Sequence, residues 1–132
     1  DEAEKKEAEQ AADEYKELLE KIRTTLGEKV KDVRVTHRLT DSPTCLVFGD
    51  YDMAPHMQRL LREAGHDVPA SKPILEINPR NPLIQRFADE TDEARSADLG
   101  HLLLEEAQLA AGDTLADPTA FIARVNRIAL GT

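Results

Sequence analysis

The run VKDVRVTHRLTDSPTCLVF, from Val30 to Phe48, decides the fold. Val33, Val35, His37 and Leu39 alternate with Arg34, Thr36 and Arg38. That period of two puts one face of a strand in the core and the other in water. Asp41-Ser42-Pro43 is turn chemistry, since Asp and Ser side chains bond the nearby backbone and proline presets its own φ. Thr44 to Phe48 is a second β-rich run, so the stretch predicts two strands joined as a hairpin.

Outward from this stretch the period becomes helical. Ala8, Ala11, Ala12, Tyr15, Leu18, Leu19, Ile22 and Leu26 recur at three- and four-residue steps, which predicts one amphipathic helix from Asp1 to Leu26, stopped at Gly27. On the other side, Gly49-Asp50-Tyr51-Asp52 breaks the strand, and Asp52 can cap a helix running to Ala64. Pro55 is tolerable there because the first turn has no use for its missing N–H. A third strand, Ile74 to Ile77, is stopped by Asn78-Pro79, and Asn81-Pro82 opens a short helix through Leu83, Ile84, Phe87 and Ala88. Helices from Asp92 to about Ala111 and from Asp117-Pro118 to Leu130 complete the chain. The expected class is α+β: a small mixed sheet of about three strands, an N-terminal helix, an amphipathic Met-containing helix and a C-terminal helical pair.

Composition narrows the possible partners. The 132 residues suit one compact domain, and 40% of them are hydrophobic, enough for a core. The formal net charge is -9, which repels phosphate backbones and anionic lipid, so neither nucleic acid nor a membrane surface is an expected partner. The lone Cys45 has no internal disulfide partner and fits a reducing cytoplasm. A chain that begins at Asp1 rather than Met reads as a fragment or processed product.

No constellation for catalysis is legible in the sequence. The sequence has no phosphate-binding glycine loop. His37, His56, His66 and His101 show neither i,i+4 pairing nor companion cysteines, so no metal is expected. Cys45 sits beside Leu46 and Val47 in a β run, where a structural thiol is the ordinary occupant. A small hydrolase built on His37 or His66 would need an orienting carboxylate in a pocket, and the sequence singles none out.

What stands out is apolar surface. Met53, Met57, Leu60, Leu61 and Ala64 follow a helical stripe headed by two methionines, side chains that suit surfaces taking varied partners. Packing of that stripe on the chain's own sheet is the plainer reading. Leu99, Leu102, Leu103, Leu104, Ala107, Leu109 and Ala110 make the penultimate helix apolar around much of its circumference. Phe121, Ile122, Val125, Ile128 and Ala129 give the last helix a clean stripe. Leaving several such side chains wet costs about 1.5–3 kcal/mol each, so a second copy of the chain is the expected partner. Leu99, Leu102, Leu103, Ala107, Phe121, Ile122, Val125 and Ile128 are the expected contacts of a four-helix bundle across that dimer. Gly100, inside the penultimate helix, predicts a weakened helix, by about 1 kcal/mol against Ala.

Three segments also carry a resemblance. GEKVKDVRVTHRLTDSP (Gly27 to Pro43), EINP (Glu76 to Pro79) and DTLADPTAFIARVNRI (Asp113 to Ile128) are similar, in order and spacing, to the carboxy-terminal domain of the bacterial heat-shock protein 90 family. The resemblance runs from about Leu19 to Leu130. It implies a constitutive homodimerisation domain, residues 19–132, preceded by a charged helix or linker, residues 1–18, from a middle domain. It implies that ATP and Mg belong to a separate amino-terminal domain, so this chain carries no cofactor and no enzymatic activity of its own. It implies that the helix with Met53, Met57, Leu60 and Leu61 contacts unfolded or partly folded client proteins. The ending RIALGT lacks the acidic pentapeptide that tetratricopeptide co-chaperones read in eukaryotic relatives. The competing expectation is a generic oligomerising α+β domain whose Met helix is plain core.

Overall fold

Ile74-Leu75-Glu76-Ile77 is apolar at three of its four positions, the pattern of a strand covered on both faces rather than one. A computed structural model, describing residues 2–36, 41–48, 55–67 and 72–131, places this strand at the centre of a three-stranded sheet. In chain order the elements are α1 (Glu2–Glu14), α2 (Lys16–Leu26), a 3-10 turn (Gly27–Lys29), β1 (Asp32–Val35), β2 (Thr44–Val47), α3 (Pro55–Glu63), β3 (Ile74–Ile77), α4 (Pro82–Asp89), α5 (Glu93–Ala110) and α6 (Pro118–Leu130). The α+β class holds, and the sheet is mixed.

The hairpin does not form. Sheet order is β1-β3-β2, with β1 parallel and β2 antiparallel to β3. The apolar β3 takes the site between the two earlier strands, where both its edges are satisfied and its most buried side chains lie under the helices. In register, Val33 and Leu46 flank Leu75 while Val35 and Thr44 flank Ile77, giving one apolar face. Arg34 and Cys45 flank Glu76 on the opposite face. There Glu76 accepts from Arg34 Nε at 2.9 Å, and Cys45 Sγ lies 3.6 Å from its other oxygen. The thiol is half-buried and structural in setting.

Helices cover the apolar face. Leu19, Ile22 and Leu26 of α2 sit at i, i+3 and i+7 and are all buried. The single N-terminal helix predicted from periodicity is instead two, jointed at Tyr15, whose φ of -106° and ψ of 19° leave the α-helical basin. The described side chains of α1 are exposed, so the core begins only in α2. Lys21 joins α2 to the end of α4: its Nζ donates to Phe87 O at 2.6 Å and Glu90 O at 2.9 Å and stands 4.4 Å from the Phe87 ring centroid.

The longest helix, α5, lies between the sheet, α2 and α6. Leu99, Leu103, Leu104 and Ala107 all enter the core. Thr44 Oγ1, buried, donates to Leu103 O at 2.8 Å and ties β2 to it. Gly100 is not the flaw its helix propensity implies. A Cβ there would come within 2.5 Å of Thr25 Cγ2 and 3.2 Å of Phe87 Cε1, so the missing side chain is what lets α2 and α4 close on α5.

The predicted helix starts are present as capping bonds. Asn81 Oδ1 accepts from Leu83 N, Asp92 Oδ2 from Arg95 N and Asp117 Oδ1 from Ala120 N, at 2.9, 2.9 and 3.0 Å. Each such cap contributes on the order of 1 kcal/mol. The predicted cap Asp52, with His37, Leu39 and Met53, lies outside the described residues.

Candidate interaction surfaces

Helix α6 gives no fully buried side chain to the subunit. Phe121, Arg124 and Ile128 follow one another at i, i+3 and i+7, and all three are half-buried on the side turned to the subunit. Ile122, Val125 and Ala129 repeat the spacing one step round and are exposed, Ile122 at 58% and Val125 at 37%. At about 100° per residue the apolar sector from Ile128 through Phe121 and Val125 to Ile122 is roughly 120° wide. The subunit covers one margin of it.

An ionic clasp holds that margin. Asp98 and Glu105, seven residues apart on α5, face Arg124 and Arg127, three apart on α6. Arg127 donates to both Asp98 oxygens, at 2.9 and 2.8 Å, and Arg124 pairs with Glu105. The Arg127 hydrogen bonds hold the Asp98 carboxyl below its ordinary range, and Asp98 raises Arg127 in turn. His101, one turn along α5, is held low chiefly by burial and then by Lys29 and Arg124. Burial alone raises Glu106.

Helix α3 is oriented the opposite way to a core helix. Gln58 is its buried residue, 8% exposed, while Met57 and Leu60 are 48% and 44% exposed and Leu61 is half-buried. None of its described side chains joins the core cluster. Its polar edge lies against the body and its apolar stripe faces water. Beside that polar edge, a cleft of about 380 Å³ separates α3 from the end of β2 and the turn after α5.

The expected contact residues therefore divide. Leu99, Leu103 and Ala107 pack in the subunit's own core, against the sheet and α2, and Leu102 is buried as well. Ile122 and Val125 stand open, with Phe121 and Ile128 half-covered beside them. Met57, Leu60 and Leu61 lie together on α3. Sequence reasoning missed the clasp, although acidic residues at i,i+7 and basic ones at i,i+3 on consecutive helices were a readable signal. Among the described residues no group of three His, Cys, Asp or Glu side chains converges, and no helix is long and apolar enough to cross a membrane.

A small mixed sheet backed by helices, with apolar stripes left open on two of them, defines an α+β domain. The Hsp90 protein family profile matches residues 1–131, and the chain belongs to that family. It is 57% identical over 126 residues to the chaperone protein HtpG of Dechloromonas aromatica, covering 96% of this chain and 20% of the relative. The HtpG chaperone of Aromatoleum aromaticum is 56% identical over 128 residues, covering 97% and 19%, and that of Nitrosospira multiformis 53% over 132 residues, covering 100% and 20%. The chain spans about one fifth of the length of these curated relatives.

Proposed function

We propose that this chain is the homodimerisation and client-contact domain of an Hsp90-type chaperone, acting in protein folding and the stress response in a reducing cytoplasm. Its first partner is a second copy of itself, and its second is unfolded or partly folded protein. ATP and Mg serve the chaperone elsewhere, and this domain transmits rather than performs that chemistry. The observation that carries the reading is the α6 sector, apolar across roughly 120° and covered by its own subunit along one margin only. A twofold pairing of the open margins, with α5 as the second layer, is the bundle such a sector supports.

Sedimentation equilibrium tests it. At about 50 µM the chain is expected to be a dimer, as a dimer burying on the order of 2,000 Å² requires. Ile122→Asp with Val125→Asp gives folded monomers, because these side chains are exposed in the subunit and costly to bury charged in the dimer. A parent chain that sediments as a monomer sinks the assignment. The rival reading, a generic oligomerising domain with α3 as core, is disfavoured by the exposure of Met57 and the absence of described α3 side chains from the core.

A further inference from the structure

The cleft beside α3 concentrates positive charge in an acidic chain. Lys29, Arg59, Arg62 and Lys72 line it, although the whole chain has 17 Lys and Arg against 26 Asp and Glu. Leu46, Phe48 and Pro73, half-buried, add apolar surface to the cleft. Asp113 is the one carboxylate among the described lining residues, and it already accepts from Thr114 N in its own turn at 2.8 Å.

Three of these cations, Lys72, Arg62 and Lys29, are held by bonds of a kind readily exchanged. Lys72 pairs with Glu28, whose side chain is almost wholly in water. Arg62 reaches Gln58 Oε1 at 3.4 Å, the long limit of a hydrogen bond. Lys29 Nζ lies 3.4 Å from His101 Nδ1. A carboxylate entering the cleft would offer Arg62 and Lys29 a stronger, charge-assisted bond than the one each leaves, and Lys72 an equivalent one. Leu46, Phe48 and Pro73 favour an occupant with hydrocarbon beside its charge. The surrounding field of a chain at -9 disfavours a polyanion such as nucleic acid, which would bring a long row of charges with it.

We propose that this cleft selects among the peptide segments reaching the neighbouring α3 stripe, favouring extended segments in which Asp or Glu alternates with apolar side chains. The inference rests on the client-contact reading and adds its chemistry. The apolar residues supply affinity through Met57, Leu60 and Leu61, and the Arg59–Arg62 edge of the same helix supplies the choice.

Three peptides of about ten residues, with identical apolar positions and Glu, Gln or Lys between them, test it by fluorescence anisotropy against the intact chain. In low salt the Glu peptide is expected to bind ~10-fold or more tightly than the Lys peptide, with Gln between. Arg59→Ala with Arg62→Ala should bring that ratio close to one, and molar salt should do the same. Met57→Ala should weaken all three peptides alike. Circular dichroism melts confirm that each variant is folded. Equal binding of the three peptides overturns the charge selection and leaves the client-contact reading standing. Absence of binding by any peptide overturns both. A preference that survives the arginine variant, or a single-stranded oligonucleotide that displaces the Glu peptide, also overturns it.

Discussion

A single hydrogen atom at Gly100 sets how closely three helices approach. Helix propensity alone favours Ala at that position by about 1 kcal/mol. Packing reverses the sign, because the new methyl would meet Thr25 Cγ2 at 2.5 Å. Thr25 cannot simply rotate away, since its Oγ1 is bonded to Lys21 O at 2.9 Å and a β-branched side chain has few alternatives. Gly100→Ala is therefore expected to destabilise by about 1–3 kcal/mol in urea titrations, the usual cost of overpacking. Thr25→Ser keeps the hydroxyl and removes the methyl, so the double variant should recover most of that loss and show strong coupling in a double-mutant cycle. His101 gives a residue-scale pH signature. Its folded-state pKa lies below the ordinary 6.5, so the unfolded chain takes the proton first as pH falls. Stability should decline as pH drops through 6.5 and level off once the folded state is protonated too. His101→Gln should remove that step from a plot of melting temperature against pH.

At the scale of elements, the two apolar stripes predict opposite responses to truncation. Met57→Ala should shift the melting temperature by no more than a few degrees, because the side chain is half in water already. Leu103→Ala, fully buried on α5, should cost about 2–5 kcal/mol. A large loss at Met57 with unchanged client binding would make α3 core after all. The contrast also shows what periodicity can and cannot convey. The capped starts of α4, α5 and α6 were legible because capping is local: Asn81, Asp92 and Asp117 satisfy N–H groups two or three residues away. Strand order was not legible, because Ile74–Ile77 inserts between strands nearly thirty to forty residues earlier and no local signal records that competition. An apolar stripe likewise announces burial without naming what buries it. For α5 the answer was the sheet and α2; for α3 the same kind of stripe faces water.

At the scale of the whole molecule, the clasp between α5 and α6 links acidity to assembly. Asp98 titrates below its ordinary 3.8 when folded, so its contribution is complete above that value and lost as pH falls through the lower, folded one. The clasp should loosen only as pH falls below 3.8 and through that lowered folded value, and the dimer proposed here should dissociate before the core melts. Sedimentation velocity beside circular dichroism over pH 5 to 3 would separate the two events, and Asp98→Asn should make association largely insensitive to pH in that range. The placement of α3 has a further consequence, in the time domain. A helix that lends no described side chain to the core can open without disturbing the rest, so its amide hydrogens should exchange with deuterium through local opening, far ahead of those of α2, α5 and β3. The client surface proposed here would then be the least rigid described helix outside the N-terminal one, able to reshape around a bound chain while the scaffold beneath keeps its form.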